Sequence, residues 1–122
     1  MSTQPHLTTI ADIVNRAVDV VDPMGAEPAV AEFAARFEDR DEPVAGMRNL
    51  AQVFEEAREA IDPAPTEAAV TVAAAVAKYL AYRRDELNED PDTLLRLAAR
   101  AELRDDADPS VRAWLTQRGV TL

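Results

Sequence analysis

The chain has 122 residues with 23 acidic and 13 basic side chains, a net charge of −10. That balance argues against direct binding to nucleic acid or an anionic membrane and permits a basic protein surface as counterpart. The absence of cysteine excludes disulfides, thiol nucleophiles, thiolate zinc sites and iron–sulfur clusters, and three scattered glycines cannot build a phosphate-cradling loop.

Residues 1–7 read as a flexible N-terminal tail, followed by one helical domain over 8–122. The opening MSTQPHLTTIADI lacks the basic start and apolar run of a signal peptide, which predicts a cytoplasmic protein. Thr8 or Thr9 caps a first helix with Asp12 in its first turn. Its inner face is Ile10, Ile13, Val14, Ala17, Val20 and Val21, at helical spacing, and Asp12 and Arg16 form an outer pair. Asp22-Pro23 ends it. A second helix starts near Pro28 and presents Val30, Phe33, Ala34 and Phe37, with Glu32 and Arg36 paired outside. Residues 38–42, all charged, read as a solvated connection.

A third helix is predicted from about Pro43 to Ile61, with Met47, Leu50, Ala51, Phe54, Ala57 and Ile61 inside and Glu55, Glu56 and Glu59 facing away. Asp62-Pro63-Ala64-Pro65 is a stiff break. The segment that follows is the most apolar of the chain. It predicts a central Ala-rich helix over about 66–88, capped by Thr66, buried as far as Ala77 and surfacing at Lys78. A membrane span needs about 20 apolar residues, and Lys78, Arg83 and Arg84 interrupt this one too early.

Asp90-Pro91 opens a fifth helix with Leu94, Leu95, Leu97, Ala98 and Ala101 inside. Asp108-Pro109 opens a sixth with Val111, Trp114 and Leu115, stopped by Gly119. Six of the eight prolines follow an acidic residue, so these pairs read as helix punctuation. No period-two alternation occurs. The second and third helices resemble each other loosely, without a convincing sequence repeat. The fold class is therefore all-α: a compact bundle of five or six helices around the central helix. The last stretch, DPSVRAWLTQRGVTL, resembles the opening helix of peripheral subunit-binding domains of acyltransferase complexes in its Pro-x-Val-Arg start and Arg-Gly-Val-x-Leu finish. A capped helix with a glycine stop gives the same pattern, so no function is carried across.

Chemistry has little to work with. His6 is the sole histidine and stands in the tail, so catalytic triads and Glu-x-x-His metal motifs find no support. Carboxylate pairs such as Glu55 with Glu59, Asp85 with Glu89 and Glu86 with Asp90 are expected by chance in so acidic a chain. Hence no catalytic, cofactor or metal-binding residue is assigned. The basic residues are more informative. Residues 1–77 carry net −9 and residues 78–122 net −1. Arg96, Arg100 and Arg104 form a stripe at i, i+4, i+8, and Arg83 and Arg84 stand close to Tyr79 and Tyr82. Arginine beside aromatic residues suits an interface, whereas Asp92 and Asp108 offer the stripe internal partners.

The expected function is a small non-enzymatic protein-interaction module: a regulator, adaptor or small subunit of a complex. It would bind a protein partner through Tyr79, Tyr82, Arg83, Arg84, Arg96, Arg100 and Arg104. An alternative is an acidic inhibitor, immunity or antitoxin-type protein that covers a basic target with Glu38, Asp39, Asp41, Glu42, Glu55, Glu56 and Glu59. A small enzyme or divalent-metal binder ranks last. An exposed apolar patch leaves homo-oligomerisation open.

Overall fold

A computed structural model describes residues 8–45, 47–64, 66–103 and 107–122. His6 and the expected tail lie outside them. The described residues form α1 (Ile10–Val21), α2 (Pro28–Ala35), α3 (Leu50–Ile61), α4 (Ala68–Tyr82), α5 (Pro91–Glu102) and α6 (Pro109–Gln117), with a 3-10 turn at Arg84–Glu86 and no strand. The fold is an all-α bundle around α4, which packs against each of the other five helices. Ala73, Val76, Ala77 and Leu80 are fully buried, and one continuous core draws residues from every helix. Small side chains explain the arrangement, because they let neighbouring backbones come close on several sides at once.

Local signals set most helix ends. Thr9 and Asp12 form a reciprocal capping box on α1: the Asp12 amide donates to the Thr9 hydroxyl at 3.1 Å, and the Thr9 amide donates to the Asp12 carboxylate at 2.9 Å. All six residues of the expected α1 inner face are buried. Asp90 caps α5 through the Thr93 amide. After α6, Gly119 takes φ 81°, its amide donates to the Thr116 carbonyl and the Val120 amide donates to that of Leu115. This paired stop returns buried Val120 onto the last turn.

Several expectations need correction. The third helix begins at Leu50, not Pro43. Residues 40–44 instead lie along the start of α1. The carbonyls of Arg40 and Glu42 accept from the amides of Ala11 and Ile10, and the Val44 amide donates to Thr8. These bonds satisfy first-turn donors of α1 that its own turns cannot reach, and Val44 is buried. The acidic connection is thus a strap, not a free loop. The central helix starts at Ala68 and ends at Tyr82, where Arg83 leaves helical geometry (φ −115°, ψ 61°). Thr66 does not cap it, since its hydroxyl donates to Asp62. Burial continues past Lys78 through Tyr79 and Leu80. Finally, Glu55 does not face away: it accepts from Lys78 Nζ at 2.6 Å and Arg58 Nε at 2.9 Å. Burial pushes the Glu55 carboxyl up, but the two cations outweigh it and hold it below its ordinary value.

The helix pairs also repeat. α1, α3 and α5 are each 12 residues long, and α2, α4 and α6 begin at residues 28, 68 and 109, at the same interval after their partners end. Equivalent positions carry buried Ala17, Ala57 and Ala98; buried Val14, Phe54 and Leu95; and buried Val30, Val70 and Val111. The residue before each second helix is Glu27, Glu67 or Asp108. In the first two pairs the turn is built alike. Asp22 and Asp62 end their helices at φ −138° and accept backbone amides four and five residues on. Donation by the Glu67 amide is the largest of the effects that lower the Asp62 carboxyl. These Asp-Pro pairs therefore tie the following segment from behind and do not cap the next helix. The units do not stack as an open array, because α1 packs on α5 and Arg118 reaches the Val21 carbonyl at 3.1 Å.

Candidate partner-binding surface

The residues expected to meet a partner divide by environment. Tyr79 is 9% exposed, and its hydroxyl donates to the Glu86 carboxylate. Glu86 also accepts from Arg83 at 2.8 Å, and Arg83 reaches Asp85 at 3.2 Å. This group closes the 3-10 turn onto the end of α4. The Arg83 guanidinium holds the Asp85 carboxyl below its ordinary value, and the bond to Asp85 raises Arg83 in turn. Burial, and then the bond to Glu86, push the Tyr79 phenol up from 10.0 to about 12.

The Tyr79 shift predicts an alkaline limb. The folded state holds the phenolic proton more tightly than the unfolded chain does. The Tyr79 contribution to stability is therefore complete below pH 10.0 and lost as pH rises from there through about 12. Thermal melts across that window should show a steeper decline in the wild type than in Tyr79→Phe. Parallel declines would reject the coupling.

The remaining members are exposed. Tyr82 is 74% accessible, the only aromatic side chain among the large exposed apolar groups. Arg84 is exposed, and among the described residues its side chain bonds only the Ala81 carbonyl, at 3.3 Å. Arg96 and Arg100 are exposed on one face of α5. Among the described residues neither has an ion-pair or hydrogen-bond partner, and the expected Asp92–Arg96 pair does not form. Arg104 lies outside the described residues. Arg36 and Arg48 are likewise exposed without a partner among the described residues, whereas Arg16 donates to the Glu89 carbonyl, Arg40 to Glu42, and Arg58 and Lys78 to Glu55, while Arg118 covers the Trp114 ring at 4.3 Å.

Tyr82 and Arg84 line a groove of about 320 Å³ with Val44, Met47, Arg48, Asn49, Leu50, Ala51 and Ala81. Arg96 and Arg100 do not line it. A helix starting at Pro43, as the sequence predicts, would leave no such groove, because residues 43–49 would lie within it. The one local signal was Asn49, which adopts the left-handed region at φ 61° and tolerates it better than most residues.

A second concavity of about 240 Å³ lies among Glu55, Arg58, Thr71, Lys78, Glu102 and Asp108. Its two cations already bind Glu55, so neither is free for a ligand. No group of three or more metal-ligating side chains occurs among the described residues, and no helix is long and apolar enough to cross a membrane. No protein-family model, curated protein or solved structure matches the chain.

Proposed function

We propose that the chain is a non-enzymatic protein-interaction module whose partner docks on the end of α4 and the outer face of α5. One observation carries this reading. Among the described residues the fold pairs or hydrogen-bonds Arg16, Arg40, Arg58, Lys78, Arg83 and Arg118 and leaves Arg36, Arg48, Arg96 and Arg100 without partners; of these four, Arg96 and Arg100 stand one turn apart on a single helix face of a molecule that is strongly acidic overall. Exposed arginine with an exposed aromatic ring is the composition enriched at interface hot spots. Tyr82, Arg84, Arg96 and Arg100 carry the contact, and Tyr79 and Arg83 hold the turn in place.

The test uses the wild-type chain as bait in an extract of its native host, beside a Tyr82→Ala/Arg96→Glu/Arg100→Glu variant of unchanged helicity. The variant should lose the specifically retained protein. Equal retention would overturn the choice of face.

A second reading draws on the strap, which its backbone bonds to α1 fix in place. Glu38, Asp39, Asp41 and Glu42 are exposed there, a preset acidic edge for a basic target. Loss of the partner from Asp39→Lys/Asp41→Lys, with retention by the arginine variant, would favour this acidic inhibitor-type reading over the first.

A further inference from the structure

We infer that the groove between the start of α3 and the end of α4 receives a short acidic segment of a protein partner, with an apolar side chain flanked by carboxylates. This deepens the interaction reading above and rests on it.

Charge complementarity identifies the occupant. Three concavities on the described surface differ in their balance. The cleft beside Glu55 has three carboxylates and two cations, and the hollow beside Arg16 has Asp12 and Asp19. The groove is lined by Arg48 and Arg84 and by no acidic residue. Chance alone would favour acidic lining in this chain, where acidic side chains outnumber basic ones 23 to 13. Arg48 is exposed and has no partner among the described residues, and Arg84 bonds only the Ala81 carbonyl there, which leaves both guanidinium groups with free donors for carboxylates.

The rest of the lining sets the size and character of the occupant. Val44, Met47, Leu50, Ala51 and Ala81 supply an apolar floor, and Met47 is a side chain that adapts to different shapes. Tyr82 stands as an exposed aromatic wall. A volume of about 320 Å³ suits one or two side chains of an extended segment, not a packed helix. The first turn of α3 has no side-chain cap from Asn49, and its positive end favours a carboxylate at the same place. An extended nucleic-acid backbone is disfavoured, because a net charge of −10 repels a polyanion beyond the local reach of two arginines.

The test follows backbone amide signals by NMR while a short peptide of glutamates around leucines is added. The same peptide with glutamine for glutamate and a single-stranded RNA oligonucleotide serve as controls. The acidic peptide should shift the amides of Arg48, Leu50, Ala51 and Tyr82, more weakly as salt is raised. Arg48→Glu/Arg84→Glu should weaken that binding about tenfold or more and should release the native partner. No shift at those amides, equal shifts from the glutamine peptide, or tighter binding of RNA would overturn the assignment. If Arg48→Glu/Arg84→Glu keeps the native partner and the Tyr82/Arg96/Arg100 variant loses it, the groove assignment falls and the interaction face stands. If both keep it, the face itself is wrong.

Discussion

Phe54→Ala should destabilise the fold by about 3–5 kcal/mol, in the upper range for removal of a buried aromatic ring. Phe33, Phe37 and Phe54 are the only phenylalanines of the chain, and they meet at one point. Their ring centroids are 5.3, 6.3 and 5.4 Å apart, and Phe37 meets Phe54 edge-on at 71°. Phe33 and Phe54 are fully buried. Removing Phe54 forfeits its burial and two aromatic contacts, each worth about 0.5–1.5 kcal/mol beyond area.

The site also joins parts of the chain that depend on it. Phe33 belongs to α2, which has only eight residues and no side-chain cap. So short a helix is held by packing and not by its own propensity. Chemical denaturation should show a lower midpoint with an unchanged slope, and the melting temperature should fall by about 10–20 °C. Phe54→Leu, which keeps most of the volume but loses both aromatic contacts, should cost less, about 1–3 kcal/mol. A loss below about 1 kcal/mol in Phe54→Ala would show that the cluster collapses around the gap and is not the organising contact between α2 and α3.

What the sequence revealed follows from the range of the interactions involved. The α1 capping box spans three residues, its inner face has one helical period, and the glycine stop after α6 is equally local. Those features were readable and they formed. The start of α3 depends on Val44, whose amide is bonded to Thr8 far back in the chain. The environment of Glu55 depends on Lys78, 23 residues later. No local pattern reports such contacts.

The helix-pair repeat was hidden for another reason. Its positions preserve size and burial more than identity, as Val14, Phe54 and Leu95 show, and the turn aspartate of the first two pairs is Leu103 in the third. For the surface, the sequence places Tyr82 close to Arg83 and Arg84 but gives no sign of Arg48. Arg48 lines the groove with Tyr82 and Arg84 only through the packing of α3 on α4.

Ala73→Leu should also destabilise the fold strongly, though less than the loss of Phe54, through the opposite physical cause. Ala73 and Ala77 lie one turn apart on α4, and both are fully buried. Because α4 packs against all five other helices, a larger side chain has no surface toward which it can turn. Interiors are packed at crystal-like density, so three added carbons must displace a neighbouring helix or adopt a strained rotamer. The expected cost is about 2–3 kcal/mol or more, with retained helicity and broadened side-chain NMR signals, the mark of a loosened core. Ala68→Leu is the control. It stands in the first turn, only half-buried, and should change stability by less than about 1 kcal/mol. If Ala73→Leu is tolerated as well as Ala68→Leu, close approach to α4 is not what fixes the bundle, and its alanines reflect helix propensity alone.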